Sequence, residues 1–281
     1  MSDLKEKIKK IKIIREPVAA VKRVYYHQVK KYIAELKGRY RNKYDKLHDL
    51  KGLFDGKRCF IVCTGPSLNY HDLDLIKQEY CFGMNSIVKV FNETEWRPYF
   101  YGIQDFNVYE KMRQYLIDDK INSEINTIFV SDDIAKKFND IPKGSYIYPL
   151  NYYGHEYFDY GKKKPMFKFS DDISKNVYDG YSVTYSLIQI AYYLGFKEIY
   201  LLGCDCSYAK EPEKQHFVSS GHVDPNAAFM GALQSMAYAE AQKFCESHDL
   251  KIYNATRGGY LEIFERVKLE EVINDKEIPK K

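Results

Sequence analysis

Short apolar runs that each end in small or polar residues, separated by stretches of helical length, constrain this chain more than any other feature. Arg58-Cys-Phe-Ile-Val-Cys63 leads into Thr64-Gly65-Pro66-Ser67, Tyr80-Cys-Phe-Gly-Met84 into Asn85-Ser86, and Tyr99-Phe-Tyr-Gly-Ile103 into Gln104-Asp105. Thr127-Ile-Phe-Val130 and Tyr146-Ile-Tyr148 repeat the theme. Glu198-Ile-Tyr-Leu-Leu202 then ends in Gly203-Cys204-Asp205, and Leu250-Lys-Ile-Tyr253 in Asn254-Ala255-Thr256. Between them, Ser182 to Leu194 reads as a helix closed by Gly195 at its C-terminus, and Ala227 to His248 as a long helix. Strands separated by helices imply an α/β fold with a doubly wound, mostly parallel sheet. Ligands of open α/β sheets bind outside the carboxyl ends of the strands. Thr64, Gly65, Pro66, Ser67, Asn85, Gln104, Asp105, Asp205 and Asn254 all fall at such ends, so they are candidates for a small-molecule site.

Two stretches interrupt the alternation. Residues 151–180 are rich in Tyr, Lys, Asp and Gly and read as a lid-like insertion, and residues 206–226 form a second irregular segment. Tyr152, Tyr153, Tyr157 and Tyr160 lie in the first; they supply either stacking and phosphate hydrogen bonds or ordinary packing.

Charge divides the chain unevenly. Residues 1–50 hold 15 Lys/Arg against 6 Asp/Glu, a net of +9, whereas the rest carries a net of −5. Within this basic arm, apolar residues from Leu4 to Tyr40 recur at a mean step of 3.6, the period of a straight helix, with Pro17 as a breaker. The amphipathic stripe requires a cover: the body at 51–281, a partner subunit in a homo-oligomer, or the inner face of a cell membrane, where Lys and Arg meet anionic lipid. The body shows no basic recognition motif, so nucleic acid is not an expected partner. No apolar run approaches the ~18–20 residues of a membrane span. The lysine-rich start lacks the apolar core of a secretory signal, so a cytoplasmic location is expected. Six cysteines without zinc-type spacing read as reduced thiols there.

The first turn, Gly65-Pro66-Ser67-Leu68, serves either as a plain turn and helix cap or as a cradle in which backbone amides and the Ser67 hydroxyl hold a phosphate. It is neither a GxxxxGK[ST] nor a GxGxxG loop, so the usual P-loop and Rossmann cofactor readings lose support. Asp72-Leu73-Asp74 has the spacing of a nucleotide-metal motif, but it sits where acidic residues favour a helix N-terminus. His216 and His222 occupy the second irregular segment beside the ligand edge, where a histidine suits a general base. Two histidines without cysteine or carboxylate at ligand spacing make a poor metal site. His155 and His248 have no helpful sequence neighbours.

Four blocks together carry a family resemblance. They are Ile61-Val-Cys-Thr-Gly-Pro-Ser-Leu68, Ser182 to Asp205, His216-Phe217, and Ile252-Tyr-Asn-Ala-Thr-Arg-Gly-Gly259. In order, over roughly 58–268, they resemble bacterial proteins of the DUF115 type, labelled after an archaeal hydroxymethylpterin pyrophosphokinase. The same blocks are similar to bacterial lipooligosaccharide sialyltransferases and motility-associated flagellin glycosyltransferases. The resemblance implies a Rossmann-like, inverting glycosyltransferase with no obligatory metal, taking a sialic or other nonulosonic acid from a CMP-activated donor to a cell-surface glycan or lipid-linked acceptor. It implies nucleotide contacts at Thr64, Gly65, Pro66, Ser67, Asn85, Gln104 and Asp105, with Ser182, Thr184 and Tyr208 near the donor phosphate. It places the base at His222, with His216 in a similar block. This chain carries Thr64 where the family's first block usually has asparagine. The competing reading is a nucleotide-dependent pyrophosphokinase acting on a pterin-like alcohol, which needs ATP and Mg²⁺, with Asp72, Asp74, Asp105 or Asp205 as ligands. A non-catalytic nucleotide-binding protein is the third.

Overall fold

The computed structural model describes residues 44–159, 164–206, 216–222 and 227–274. Most of the basic arm, Tyr160, Tyr208 and much of the 206–226 insertion lie outside the described residues. The chain divides into Met1–Asp45 and Lys46–Lys281. Leu47 and Leu50, within a short 3-10 helix at Asp45–Leu50, are buried in the second unit.

Eight strands form one sheet: β1 (Arg58–Val62), β2 (Cys81–Met84), β3 (Phe100–Ile103), β4 (Thr127–Ser131), β5 (Tyr146–Tyr148), β6 (Glu198–Leu202), β7 (Lys251–Asn254) and β8 (Glu265–Arg266). Their spatial order is β8-β7-β6-β1-β2-β3-β4-β5, and every pairing is parallel. The chain therefore winds outward from β1 to β5, then returns to the other side of β1 for β6, β7 and β8. The reversal lies between β1 and β6, paired from Arg58↔Glu198 to Val62↔Leu202. The short edge strand β8 is not foreseen by the sequence, because its two residues, Glu265 and Arg266, are exposed and carry no apolar signal; buried Phe264 precedes them.

The α-helices among the described residues are α1 (Tyr70–Leu75), α2 (Phe106–Leu116), α3 (Asp119–Ser123), α4 (Asp132–Lys137), α5 (Tyr153–Glu156), α6 (Val183–Leu194), α7 (Ala227–Ser247) and α8 (Leu269–Asn274), the last following β8. α6 matches its sequence signals closely. Ser182 caps it by accepting the Thr184 amide at 3.2 Å, and Gly195 ends it at φ 102°, a left-handed conformation glycine adopts without strain. Among the described residues no helix is long and apolar enough to cross a membrane.

Both faces of the sheet are covered, as a parallel sheet requires. Phe60, Val62, Tyr101, Ile103, Val130 and Leu202 form one buried cluster with Val108, Tyr109, Met112 and Leu116 of α2. On the other face, Phe82 stacks on Phe100 at 4.4 Å, Phe54 stacks on Phe196 at 5.0 Å, and α6 packs across β1, β2 and β3. Gly102 is required there, since a Cβ would lie 2.4 Å from Leu187.

One charged pair is built into the amino end of the sheet. Arg58 and Glu79 are 1% and 3% exposed and bond at 2.8 and 3.2 Å, while the same guanidinium donates to the Val272 carbonyl at 3.0 Å. Removing one partner of such a pair leaves an uncompensated buried charge. Glu79→Ala is therefore expected to destabilise the fold by about 3–5 kcal/mol, read as a lowered urea midpoint. Exchanging both residues for apolar ones of similar volume should cost much less.

Candidate nucleotide site

A cavity of about 340 Å³ opens at the carboxyl ends of β1, β2, β3 and β6, where the sheet reverses direction. Two turns form its floor. Hydrogen bonds extend the β1–β6 ladder past the strands, from the Cys63 amide to Leu202 at 2.8 Å and from the Gly65 amide to Gly203 at 2.9 Å. The approach is close enough that a Cβ on Gly65 would lie 2.4 Å from the Gly203 carbonyl oxygen and 2.1 Å from Asp205 Oδ2. Asp205 ties the turns together by accepting from the Ser67 hydroxyl at 2.8 Å and the Ser67 amide at 3.4 Å. Burial pushes its carboxyl above the usual range, against the pull of those bonds.

Of the residues expected at the site, Thr64, Gly65, Asn85, Gln104, Asp105, Ser182, Thr184 and Asp205 line this cavity, as do His216 and His222. Several are already committed to holding its walls. Asp105 caps α2 by accepting the Asn107 and Val108 amides at 2.6 and 3.1 Å. The Thr184 hydroxyl lies 3.3 Å from the Cys63 sulfur, and Ser182 is the α6 cap. Pro66 and Ser67 stand behind the lining. Asn254 lies apart from it, fully buried, donating to the Leu261 carbonyl at 2.7 Å and accepting the Thr256 amide at 3.0 Å. It ties the loop after β7 and is not positioned to touch a ligand. Asp72 is also spoken for, because Arg257 bonds it at 2.6 Å while bonding Glu270. Among the described residues no group of three His, Cys, Asp or Glu side chains is arranged to hold a metal ion.

The two loop histidines differ. His216 bonds the Thr64 backbone carbonyl, which also accepts the Phe217 amide at 2.8 Å, and burial lowers its pKa from the ordinary value of 6.5. It is held neutral against the first turn. His222 follows Gly221, whose φ of 77° turns the chain, and lines the cavity without a carboxylate partner among the described residues. The segment is tied down beside β2, since Ser86 donates to the Val218 carbonyl and Lys89 to that of Ser219 at 2.8 Å.

Sequence reasoning missed two features. The first is a trio of cysteines on the cavity floor: Cys63, Cys204 and Cys206. Hydrogen bonds from Cys206, Cys63 and the Tyr238 hydroxyl hold the Cys204 thiol well below its ordinary pKa, and bonding to Cys204 together with burial pushes Cys63 up. The second is His155. Its Nε2 bonds Asp179, which is 4% exposed and also accepts Gln104 Nε2 at 2.7 Å. No local pattern announces that contact, because 24 residues separate the partners. Asn85, Tyr181 and Cys206 are the non-glycine residues at positive φ among those described, and all three line the cavity. Backbone strain of this kind collects at ligand sites.

The family described as 6-hydroxymethylpterin diphosphokinase MptE-like matches residues 24–211. No curated protein matches the chain. Among solved structures, the MAf glycosyltransferase from Magnetospirillum magneticum AMB-1 is similar in fold, with a TM-score of 0.50 and 17% identity over 81% of this chain and 39% of that one. The chain thus spans about two fifths of that protein's length. The sialyltransferase CstII from Campylobacter jejuni, in complex with a substrate analogue, cytidine-5'-monophosphate, matches with a TM-score of 0.46 and 15% identity, covering 81% and 90% of the two chains. The monofunctional alpha-2,3-sialyltransferase Cst-I from the same organism gives 0.45 and 17%, covering 80% and 84%.

Two outcomes are expected from this geometry. Gly65→Ala should force the two turns apart, costing about 1–3 kcal/mol as overpacking does, seen as a lowered thermal midpoint. His216 has a folded-state pKa below its unfolded one, so acidification below about 6.5 protonates the unfolded chain first and weakens the fold until the lowered folded value is passed. Replacing it in His216→Gln should flatten the fall of the thermal midpoint between about pH 7 and pH 5.

Proposed function

The chain belongs to the 6-hydroxymethylpterin diphosphokinase MptE-like family, and we propose that within it this protein is a glycosyltransferase. It takes a sugar from a nucleotide-activated donor, CMP-linked as the family resemblance implies, and passes it to a hydroxyl of a cell-surface glycan. The observation that carries this reading is the cavity at the sheet reversal, which gathers the first turn, four strand ends and the capped start of α6 around one small-molecule volume.

Each part then has a task. The amino end of α6 meets the donor phosphate, while the first turn, its Gly65 and Ser67 amides bonded to Gly203 and Asp205, forms a fixed wall against the nucleotide. His216 braces Thr64 at the nucleotide flank. The acceptor oxygen attacks the anomeric carbon as the bond to the phosphate breaks, and a histidine of the cavity takes the acceptor's proton, which typically contributes about 10²–10⁴-fold. His222 and His216 are the candidates the sequence supplies. The configuration at the anomeric carbon inverts in a direct displacement of this kind.

The family description favours one other reading, a diphosphokinase using ATP and Mg²⁺. It is less well supported by the side chains. Among the described residues lining the cavity none is Lys or Arg to meet a triphosphate, while Asp72, Asp105 and Asp205 are bonded to Arg257, the α2 amides and Ser67. A thermal-shift panel of CMP, CDP, UMP, UDP, GDP and ATP, with and without Mg²⁺, separates the two. A ligand at 100 times its dissociation constant adds about 2.7 kcal/mol. Selective stabilisation by CMP without metal is the expected result, and stabilisation by ATP only with Mg²⁺ would replace the transferase by the diphosphokinase.

A further inference from the structure

We propose that His155, oriented by Asp179, is the general base of the transfer, a role the sequence resemblance assigns to the loop histidines. The inference rests on the transferase reading and names the residue that performs its proton step. Tertiary structure assembles the pair. Leu150–Asn151 and Val177–Tyr178 form a small parallel ladder, and the Asp179 amide donates to the Asn151 carbonyl at 2.9 Å. That ladder sets Asp179 beside α5, on which His155 stands.

Four features distinguish His155 from the other histidines of the cavity. Its Nε2 bonds a carboxylate, which fixes the proton on that nitrogen and leaves the Nδ1 lone pair as an acceptor; among the described residues Nδ1 has no partner. Asp179 is itself held, because the Ser186 hydroxyl donates to Gln104 Oε1 at 2.7 Å and Gln104 Nε2 donates to Asp179 Oδ1 at 2.7 Å. The imidazole is clamped in plane, stacked on Tyr181 at 3.9 Å and edge-on to Tyr152 at 5.2 Å. Tyr181 reaches it from a strained backbone at φ 61°, with its carbonyl bound by Gln234 at 3.0 Å. Finally, His155 is 36% exposed, open to an incoming hydroxyl, whereas its carboxylate is sealed. Hydroxyl, imidazole and carboxylate in series is the logic by which other enzymes activate an alcohol.

The step balances. Nδ1 of His155 takes the acceptor's hydroxyl proton while the oxygen forms its bond to the anomeric carbon. The bond between that carbon and the phosphate oxygen breaks, and its electron pair leaves with CMP. Asp179 stabilises the imidazolium until the proton passes to solvent. His216, whose ring donates to Thr64 and sits at the nucleotide flank, is left to position the donor. Asp179 is a positioning residue.

Two measurements on the full chain test this. Long-range ¹⁵N–¹H spectra of histidine-labelled protein should show a proton of His155 on Nε2 and none on Nδ1, the signal being assigned by its loss in His155→Gln and altered in Asp179→Asn. A proton on Nδ1, or a ring unaffected by Asp179→Asn, overturns the pairing whatever the protein's reaction. CMP release from CMP-N-acetylneuraminate, with water as acceptor, reads the chemistry. His155→Gln should lower kcat by about 10²–10⁴-fold while CMP still stabilises the variant as it does the wild type, and Asp179→Asn should lower kcat with KM little changed. His155→Gln within threefold of wild type, or a larger loss in His222→Gln than in His155→Gln, returns the base to the loop. Failure of the transferase reading shows itself differently, as a wild-type protein that CMP does not stabilise; the tautomer measurement then still decides whether the pair exists.

Discussion

The hydrogen bond from the Gly65 amide to the Gly203 carbonyl is the contact on which the site depends. It lies just past the strands, three residues after Val62 of β1 and one after Leu202 of β6, at the place where the winding of the sheet changes direction. Two successive turns could diverge there, each following its own helix. Instead the ladder continues into them, Asp205 reaches across to Ser67, and the backbones come too close for any side chain at position 65. The crevice that results is a property of the topology, which separates the helices after β1 and β6 onto different faces. What the residues add is rigidity at its floor.

Much of the polar chemistry around the cavity serves that rigidity. Asp105 and Ser182 cap helices, Asp205 binds the first turn, and Gln104 is bonded on both sides of its amide. Gln104 and Asp205 are buried, where an unpaired polar group is costly, and both are satisfied internally. The groups that remain to act on a ligand are main-chain amides, exposed hydroxyls and histidines. That division fits a site in which binding uses the backbone and only a few side chains carry reactivity. It also explains why a cavity lined by three aspartates need not be a metal site, since each carboxylate has a structural partner. The strained backbones of Asn85, Tyr181 and Cys206 stand around the same space; Gln234 of α7 holds the Tyr181 carbonyl, and the Tyr101 hydroxyl of β3 holds that of Asn85.

How much of this was legible in the sequence varies with the range of the interaction concerned. The α6 helix was bounded to within a residue because Ser182 and Gly195 act through local backbone geometry. The strands were found because burial on both faces makes them continuously apolar, and their polar ends located the cavity. Tyr208 and the basic arm, also singled out by the sequence, lie outside the described residues. Asn254 shares the strand-end position of the cavity residues, yet its side chain turns into the loop that follows β7 and is consumed by Leu261 and Thr256. Position along a strand does not determine where an amide finds its partner.

By itself, then, the sequence determined the class of fold and the edge of the sheet at which the cavity opens, through local periodicity and the polar residues that end the strands, while the order of its motif blocks carries the family resemblance. Only the tertiary structure decided which side chains at that edge are free to act. Asp205 became a brace, Asp72 a partner of Arg257, and His155 a partner of Asp179 through contacts spanning 138, 185 and 24 residues. Contacts of that length depend on how the β1–β6 reversal and a two-residue parallel ladder bring distant segments together, and no pattern within a single segment encodes them.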